Sequence, residues 1–336
     1  MNGPSFAHLV RLSDDVGLHE HALGPLPLRE HGYCLDDVAR GLVVLCREPD
    51  PPAELVTLLE RYLAFTAHAQ AADGRFHNRL GHDRVWRDEP GLGDWWGRAL
   101  WGLGTAAARA PLPWVRAAAL TCFDASAHHR PPSVRAMCFA ALGAAEVLRV
   151  APDHELSRKL LADVPAVVGG PDRAVPWPWP EARLFYANAA LPEALIAAGE
   201  LLRDRDVLDD GLWLLAWLLT VESHGDRLSP TPMHGWRAGE HRPAFDQQPL
   251  EAAALADACA RAHRVTGDRA WLAGVRRAVA WFGGDNDAGV PLLDEETGGG
   301  CDGLSRDGRN RNQGAESTLA LLSTLQHARA FTGSAG

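Results

Sequence analysis

Asp94-Trp95-Trp96-Gly97-Arg98-Ala99-Leu100-Trp101-Gly102-Leu103-Gly104 opens a helix that is small or apolar on almost every side. Such a helix is buried all round. Ala/Gly/Leu-rich helices of this kind open near residues 36, 94, 133, 188, 247 and 313, each after a loop rich in Asp, Glu, Asn, Gln, Trp or His. The helices between them, such as 53–69 and 207–221, keep a polar face. Short turns join each buried helix to its half-polar partner, and long loops lead to the next buried one. Six hairpins in this order predict an all-α (α/α)6 toroid, a single domain over residues 1–336, with its inner-helix starts facing one funnel. The periodicity places helices at 36–46, 53–69, 94 onward, 112–123, 134–150, 154–168, 189–202, 207–221, 250–265 and 270–282, and a last one ending near Phe331. Ser133, and Asp36 or Asp37, are the expected N-caps. This leaves the last hairpin one helix short unless residues 6–23 supply it. A helical-repeat solenoid is the alternative, and the irregular spacing argues against it.

Composition narrows the function. The net charge is −10, with 46% hydrophobic and 23% charged residues, an ordinary globular balance. No basic stripe is present, which argues against nucleic acid and anionic membrane as partners. No run reaches transmembrane length, and Met1 to His8 lacks a basic segment followed by an apolar one, so a cytoplasmic protein is expected. Lys159 is the only lysine and sits mid-helix among surface residues, which argues against pyridoxal phosphate chemistry on a Schiff base. The cysteines at 34, 46, 122, 138, 259 and 301 are scattered without a C-x-x-C pair and read as reduced residues. No cofactor and no metal are expected. His128-His129 with Cys122 or Cys138 lacks ligand spacing, and Asp285-Asn286-Asp287-Ala288-Gly289 lacks the closing Glu of a calcium loop. Leu35-Asp36-Asp37 echoes an acidic terpene-cyclase motif, but Arg40 stands where D-D-x-x-D needs its last Asp.

A funnel at the inner-helix starts collects His31, Tyr33, Asp36, Asp37, Arg98, Glu181, Tyr186, Asn188, Asp246, Gln247, Gln248, Glu251, Asn312, Gln313 and Glu316, with Trp179 and Trp236 among the tryptophans in or beside the loops. Amides and acids hydrogen-bond hydroxyl groups, and aromatic faces stack on sugar rings. Glycoside cleavage needs two carboxyl groups on opposite sides of the bond. Plainer roles stand beside this one. Asp36 and Asp37 serve as cap and surface charge, Asp246 caps the helix after Pro249, and Glu316 compensates a first-turn dipole. Glu181 follows Pro180 and has no such role.

His31 to Arg40, Trp177-Pro178-Trp179-Pro180-Glu181, Phe185-Tyr186-Ala187-Asn188-Ala189, Asp246-Gln247-Gln248-Pro249, Gly298 to Leu304 and Asn312-Gln313-Gly314-Ala315-Glu316-Ser317-Thr318 resemble a bacterial family of six-hairpin, glycosidase-like proteins. The resemblance covers nearly the whole chain. It implies the (α/α)6 toroid and carbohydrate work; members are often labelled glycosyltransferase and occur near mannoside phosphorylases or glycosyltransferases. The chain departs from the pattern at Val38, Pro180 and Ala187, where Asn, Phe and Asp are usual.

The leading expectation is a glycoside hydrolase acting on an oligosaccharide, with Glu181 as general acid, Asp37 or Asp246 as base and Glu316 third in line. Asp37 is expected to be the inward member of the Asp pair. The other named residues, Glu251 aside, bind substrate. The first alternative is a sugar 2-epimerase-like isomerase, whose base beside C–H would be His31, His77, His224 or His234. The second is a non-catalytic glycan-binding partner of a glycosyltransferase.

Overall fold

The computed structural model describes residues 3–332. The domain expected over 1–336 also takes in residues 1, 2 and 333–336, which lie outside the described residues. The chain divides into two compact units: an N-terminal unit, Leu9–Val167, and a C-terminal unit joining Met1–His8 to Val168–Gly336.

α1 (Ala7–Leu12) is all that forms of the helix sought over 6–23. Asp14 ends it, because its Oδ1 accepts the N–H groups of Val16 (2.8 Å) and Gly17 (3.1 Å) and turns the chain. The N-terminal unit then runs through α2 (Leu35–Arg47), α3 (Ala53–Ala69), α4 (Asp94–Arg109), α5 (Pro113–Ser126), α6 (Val134–Val150) and α7 (Glu155–Ala162). α2, α4 and α6 pack side by side, and α3, α5 and α7 back them in turn. On α3 only one stripe is buried, Leu55, Leu58, Leu59, Tyr62, Leu63, Phe65, Thr66 and Ala69, the spacing of a half-covered helix. α6 is buried without interruption from Arg135 to Leu148. Glycine makes the contact between α4 and α6 possible. A Cβ on Gly104 would run into the carbonyl oxygen of Gly143, and one on Gly143 into that of Leu100.

The helix expected over 154–168 breaks at Asp163 into α7 and α8 (Val164–Val168). Pro165 has no N–H to give to Leu161, so the hydrogen-bond ladder cannot cross that point. The C-terminal unit contains α9 (Ala190–Leu202), α10 (Arg205–Val221), α11 (Pro249–Thr266), α12 (Leu272–Phe282) and α13 (Ala315–Thr332). α11 packs against both α9 and α13, while α10 and α12 back α9 and α11. The outer α10 buries only Gly211, Leu214, Leu215 and Leu218, whereas α11 is buried from Glu251 to Ala262 except Ala254.

Two expected caps are corrected. Neither Asp36 nor Asp37 caps α2: its N-cap is Cys34, and the Asp36 N–H is taken by Asn78 Oδ1 at 3.2 Å, from the loop after α3. Asp246 does not cap α11, whose N-cap is Gln248 and whose first position is Pro249. Ser133 caps as expected, its Oγ accepting the Ala136 N–H at 3.3 Å. The loops carry two-residue antiparallel ribbons, Ala22–Leu23 with Leu26–Pro27, Tyr33–Cys34 with Arg79–Leu80, Ser223–His224 with Arg227–Leu228, and Leu304–Ser305 with Gly308–Arg309. The cysteines are all free, and no helix among the described residues is long and apolar enough to cross a membrane.

Candidate functional site

In the N-terminal unit, α2 and α4 bring charged side chains together. Arg98 on α4 sets its Nε 2.9 Å from Asp36 Oδ1, while Arg40 reaches Asp36 Oδ2 at 2.8 Å and Asp37 Oδ1 at 2.5 Å. The Arg98 guanidinium also lies 4.0 Å over the Phe139 ring of α6. The carboxylates and guanidiniums thus compensate one another in a mostly buried cluster, where an unpaired charge would be costly. Solvent reaches Asp36 (side chain 19% exposed) more than Asp37 (5%). Helical geometry turns neighbouring side chains about 100° apart, so one faces out and the other is covered.

His31 and Tyr33 do not join this cluster. His31 is exposed on a 3-10 turn, edge-on to His21 at 4.8 Å. Tyr33 is buried and donates its hydroxyl to Asp14 Oδ2 at 2.6 Å. Burial first, then the hydrogen bond and charge of Asp14, hold the Tyr33 phenol well above its usual range, so it stays a donor. His77 is fixed differently: its Nδ1 lies 2.6 Å from the Asp88 carbonyl oxygen, and its ring stacks on Trp86 (4.8 Å, 12°). A carbonyl only accepts, so Nδ1 carries a proton, and in the neutral ring the lone pair is on Nε2.

In the C-terminal unit, Glu181 sits among tryptophans. Trp177 Nε1 donates to its carbonyl oxygen (3.0 Å), and Trp179 Nε1 to its Oε2 (3.4 Å). Trp177 packs edge-on against Trp217 of α10 and against Trp236, while Trp179 stacks on Trp217 at 5.8 Å. Trp179 is only 4% exposed and presents no free face for a sugar; Trp236 remains partly exposed under the Arg242 guanidinium.

Three expected ligand-binding amides are instead committed to the protein itself. Gln247 is fully buried; its Nε2 donates to Ala244 O (2.7 Å) and Asp287 Oδ2 (2.6 Å), and its Oε1 accepts from Trp281 Nε1 (2.9 Å). Asn188 is buried and bridges to the Phe185 backbone, its Oδ1 accepting the Phe185 N–H at 3.0 Å. Gln313 accepts from Thr297 Oγ1 (2.7 Å) and donates to Asp294 Oδ2 (3.0 Å), pinning the last long loop. Each has its polar atoms satisfied inside the fold, as burial requires. Asn312, Tyr186, Gln248 and Glu316 stay partly exposed, Asn312 donating to Asp302 Oδ2 at 3.2 Å.

Two residues ahead of inner helices hold left-handed backbone without being glycine, Ala187 (φ 48°) before α9 and Asp246 (φ 68°) before α11. Such conformations cost free energy and gather at functional sites. Asp246 is exposed, and its carboxylate meets no hydrogen-bonding or ionic partner among the described residues. The Ala187 N–H is held by Glu251 Oε1 at 2.5 Å, so the first turn of α11 satisfies the start of α9. Sequence reasoning missed Glu222. It is fully buried and accepts from Thr231 through both N–H (3.2 Å) and hydroxyl (2.5 Å). Burial pushes the Glu222 carboxyl up, against the opposing pull of Thr231, Arg242 and Asn188. Nothing in its surroundings at the end of a half-polar helix marks it.

No protein-family model matches the sequence, and no curated protein does. Solved structures do. A sugar epimerase from a ruminal bacterium superposes with TM-score 0.72 at 12% identity, over 96% of this chain and 95% of that one. A D-mannose isomerase gives TM-score 0.69 at 12% identity, over 97% and 95%. The cellulase Cel9M of C. cellulolyticium, in complex with cellobiose, gives 0.64 at 10% identity, over 94% and 88%. At such identities the likeness is one of fold, and the fold is the all-α (α/α)6 toroid read from the sequence.

Proposed function

We propose that the chain is a carbohydrate-active enzyme working as one domain, a glycoside hydrolase in which Glu181 is the general acid and Asp246 the general base. The observation that carries this is the setting of Glu181, a partly buried residue whose carboxyl accepts from the Trp179 indole N–H and whose backbone carbonyl accepts from that of Trp177, itself packed on the part-exposed Trp236. Asp246 suits a base because its carboxylate is exposed and unengaged, on backbone pinned at both sides by Leu304 and Met233. Asp37 is a weaker base, since Arg40 occupies its Oδ1; Glu316 stands third. Part-exposed Tyr186, Gln248 and Asn312 contact sugar hydroxyls. Buried Gln247, Asn188 and Gln313 position the loops. The shared fold with a cellulase supports this reading. On a panel of oligosaccharides scored for new reducing ends, Glu181→Gln and Asp246→Asn should each lower kcat about 10²–10⁴-fold with unchanged circular dichroism. Full activity in both variants sinks the assignment.

A second reading, a sugar 2-epimerase-like isomerase, is favoured by His77, whose Nε2 is a fixed-tautomer base beside the Trp86 ring. The folds of the sugar epimerase and the D-mannose isomerase support it. It predicts solvent deuterium at C2 of an unhydrolysed sugar in D2O, lost in His77→Asn; new reducing ends without exchange speak for the hydrolase. Tight calorimetric binding with neither product indicates a glycan-binding partner.

A further inference from the structure

Neither the residue spacing in the sequence nor the proposed sugar chemistry calls for a metal. The N-terminal unit nevertheless gathers Asp14, His19 and His82, whose ligand atoms all lie within 4.8 Å of one another. We propose that these three side chains bind one divalent cation of borderline softness, of the zinc or cobalt type. Two imidazoles with a carboxylate are the donor set such ions favour.

The placement is prearranged. His19 is buried with its Nε2 3.2 Å from Asp14 Oδ2. Ligands about 2.0–2.1 Å from a tetrahedral zinc lie about 3.3 Å apart, so these atoms already stand near the edge of such a polyhedron. The His19 ring is clamped against Tyr33 (4.8 Å, 25°), which fixes the aim of Nε2. Its Nδ1 is buried without a hydrogen-bonding partner, so the ring is held only through Nε2, and a bound cation would take the place of the proton that Nε2 shares with Asp14 Oδ2. Asp14 is oriented by others: its Oδ1 takes the N–H groups of Val16 and Gly17, and its Oδ2 takes the Tyr33 hydroxyl. Supporting hydrogen bonds of this kind orient and tune metal ligands.

His82 supplies the third donor and the way in. It is exposed, on the turn after Leu80, with Nδ1 3.3 Å from the Tyr33 hydroxyl oxygen. An ion pair from Arg84 to Asp15 (2.7 Å) ties that turn to the Asp14 segment. A small side-chain rotation of His82 completes a three-ligand site with an open position toward solvent. The nearby grouping of Glu20, Cys34 and Asp37 is a poorer site. Burial and the Asp37 and Asp36 charges push the Cys34 thiol up, and Asp37 is already held by Arg40.

The test is calorimetric titration of the full chain, stripped with EDTA, with Zn²⁺ and with Co²⁺, alongside His82→Ala and Asp14→Asn. One saturable equivalent is expected, with visible cobalt absorption of a low-coordinate site. His82→Ala should weaken binding at least tenfold with unchanged circular dichroism, and Tyr33→Phe should weaken it by about 10–100-fold. The proposal is overturned by absence of a saturable equivalent, or by binding that is the same in His82→Ala as in the parent. The readout is metal occupancy, so it stands or falls independently of the sugar chemistry.

Discussion

The two compact units meet the same problem, polar groups where a loop enters a buried helix, with different chemistry. At the starts of α2 and α4 the answer is ionic: Asp36 and Asp37 lie between Arg40 and Arg98. Around α9 and α11 it rests on hydrogen bonds, with Gln247 bridging Trp281 and Asp287, and Glu251 and Glu222 accepting from backbone and hydroxyl donors. An ionic cluster fails when one partner is removed, because the other is left buried and uncompensated. A hydrogen-bonded network tolerates neutral replacements of the same shape and is disturbed by charge.

Arg98→Met is the hardest blow to the ionic side. It keeps bulk against Phe139 but leaves Asp36 with Arg40 alone, and the expected loss is about 3–5 kcal/mol, read from urea unfolding. A loss below about 1 kcal/mol would mean that solvent already screens the cluster and that the contrast between the units is unfounded.

Neutralising a carboxyl should give opposite signs in the two places. Asp36→Asn weakens two ion pairs and should cost about 1–3 kcal/mol at neutral pH. Glu222→Gln should stabilise. A carboxyl whose folded pKa lies above its ordinary value of 4.5 contributes stability below that pH, and the contribution is lost as pH rises through the folded value. The glutamine has no such loss and still offers an oxygen to Thr231. Its advantage should therefore be present at pH 8 and close near pH 4, in urea midpoints at the two pH values. Equal midpoints for Glu222→Gln and the parent at pH 8 would break the comparison from the other side.

The same contrast explains what could be read from the sequence. α3 and α6 have the expected bounds because Pro52 and Ser133 are local signals at their starts and hydrophobic spacing is local too. The Asp pair, Arg98 and Glu181 stand out in the sequence because charge beside small apolar or aromatic residues is conspicuous. Other features depend on tertiary contacts. Asn78 caps α2 from 42 positions away, and Glu251 holds the start of α9 from 64. An amide in a motif looks the same whether it meets a ligand, as expected of Gln247, or Trp281, as observed. The Asp14–His19–His82 grouping was missed because it joins a turn to a ribbon end, although Asp14-Asp15-Val16-Gly17 is a recognisable turn and would have ended α1 in the right place.

The smallest effect concerns Ala187. Its left-handed backbone costs an alanine about 1–2 kcal/mol, a penalty glycine avoids, while the added freedom of the unfolded chain returns about 0.4–1 kcal/mol of that. Ala187→Gly should therefore gain up to about 1 kcal/mol, provided the N–H bond to Glu251 Oε1 survives. That proviso makes the variant informative. A gain shows strain held in place by the network around α9 and α11, in which case Glu251→Gln combined with Ala187→Gly should be less harmful than Glu251→Gln alone. A loss shows that the Ala187 methyl is packed well enough to offset the strain, and the buried start of α9 is then held by shape as much as by hydrogen bonds. Urea midpoints of the two single variants and the double variant separate these outcomes, because residues that act through one contact depart from additivity.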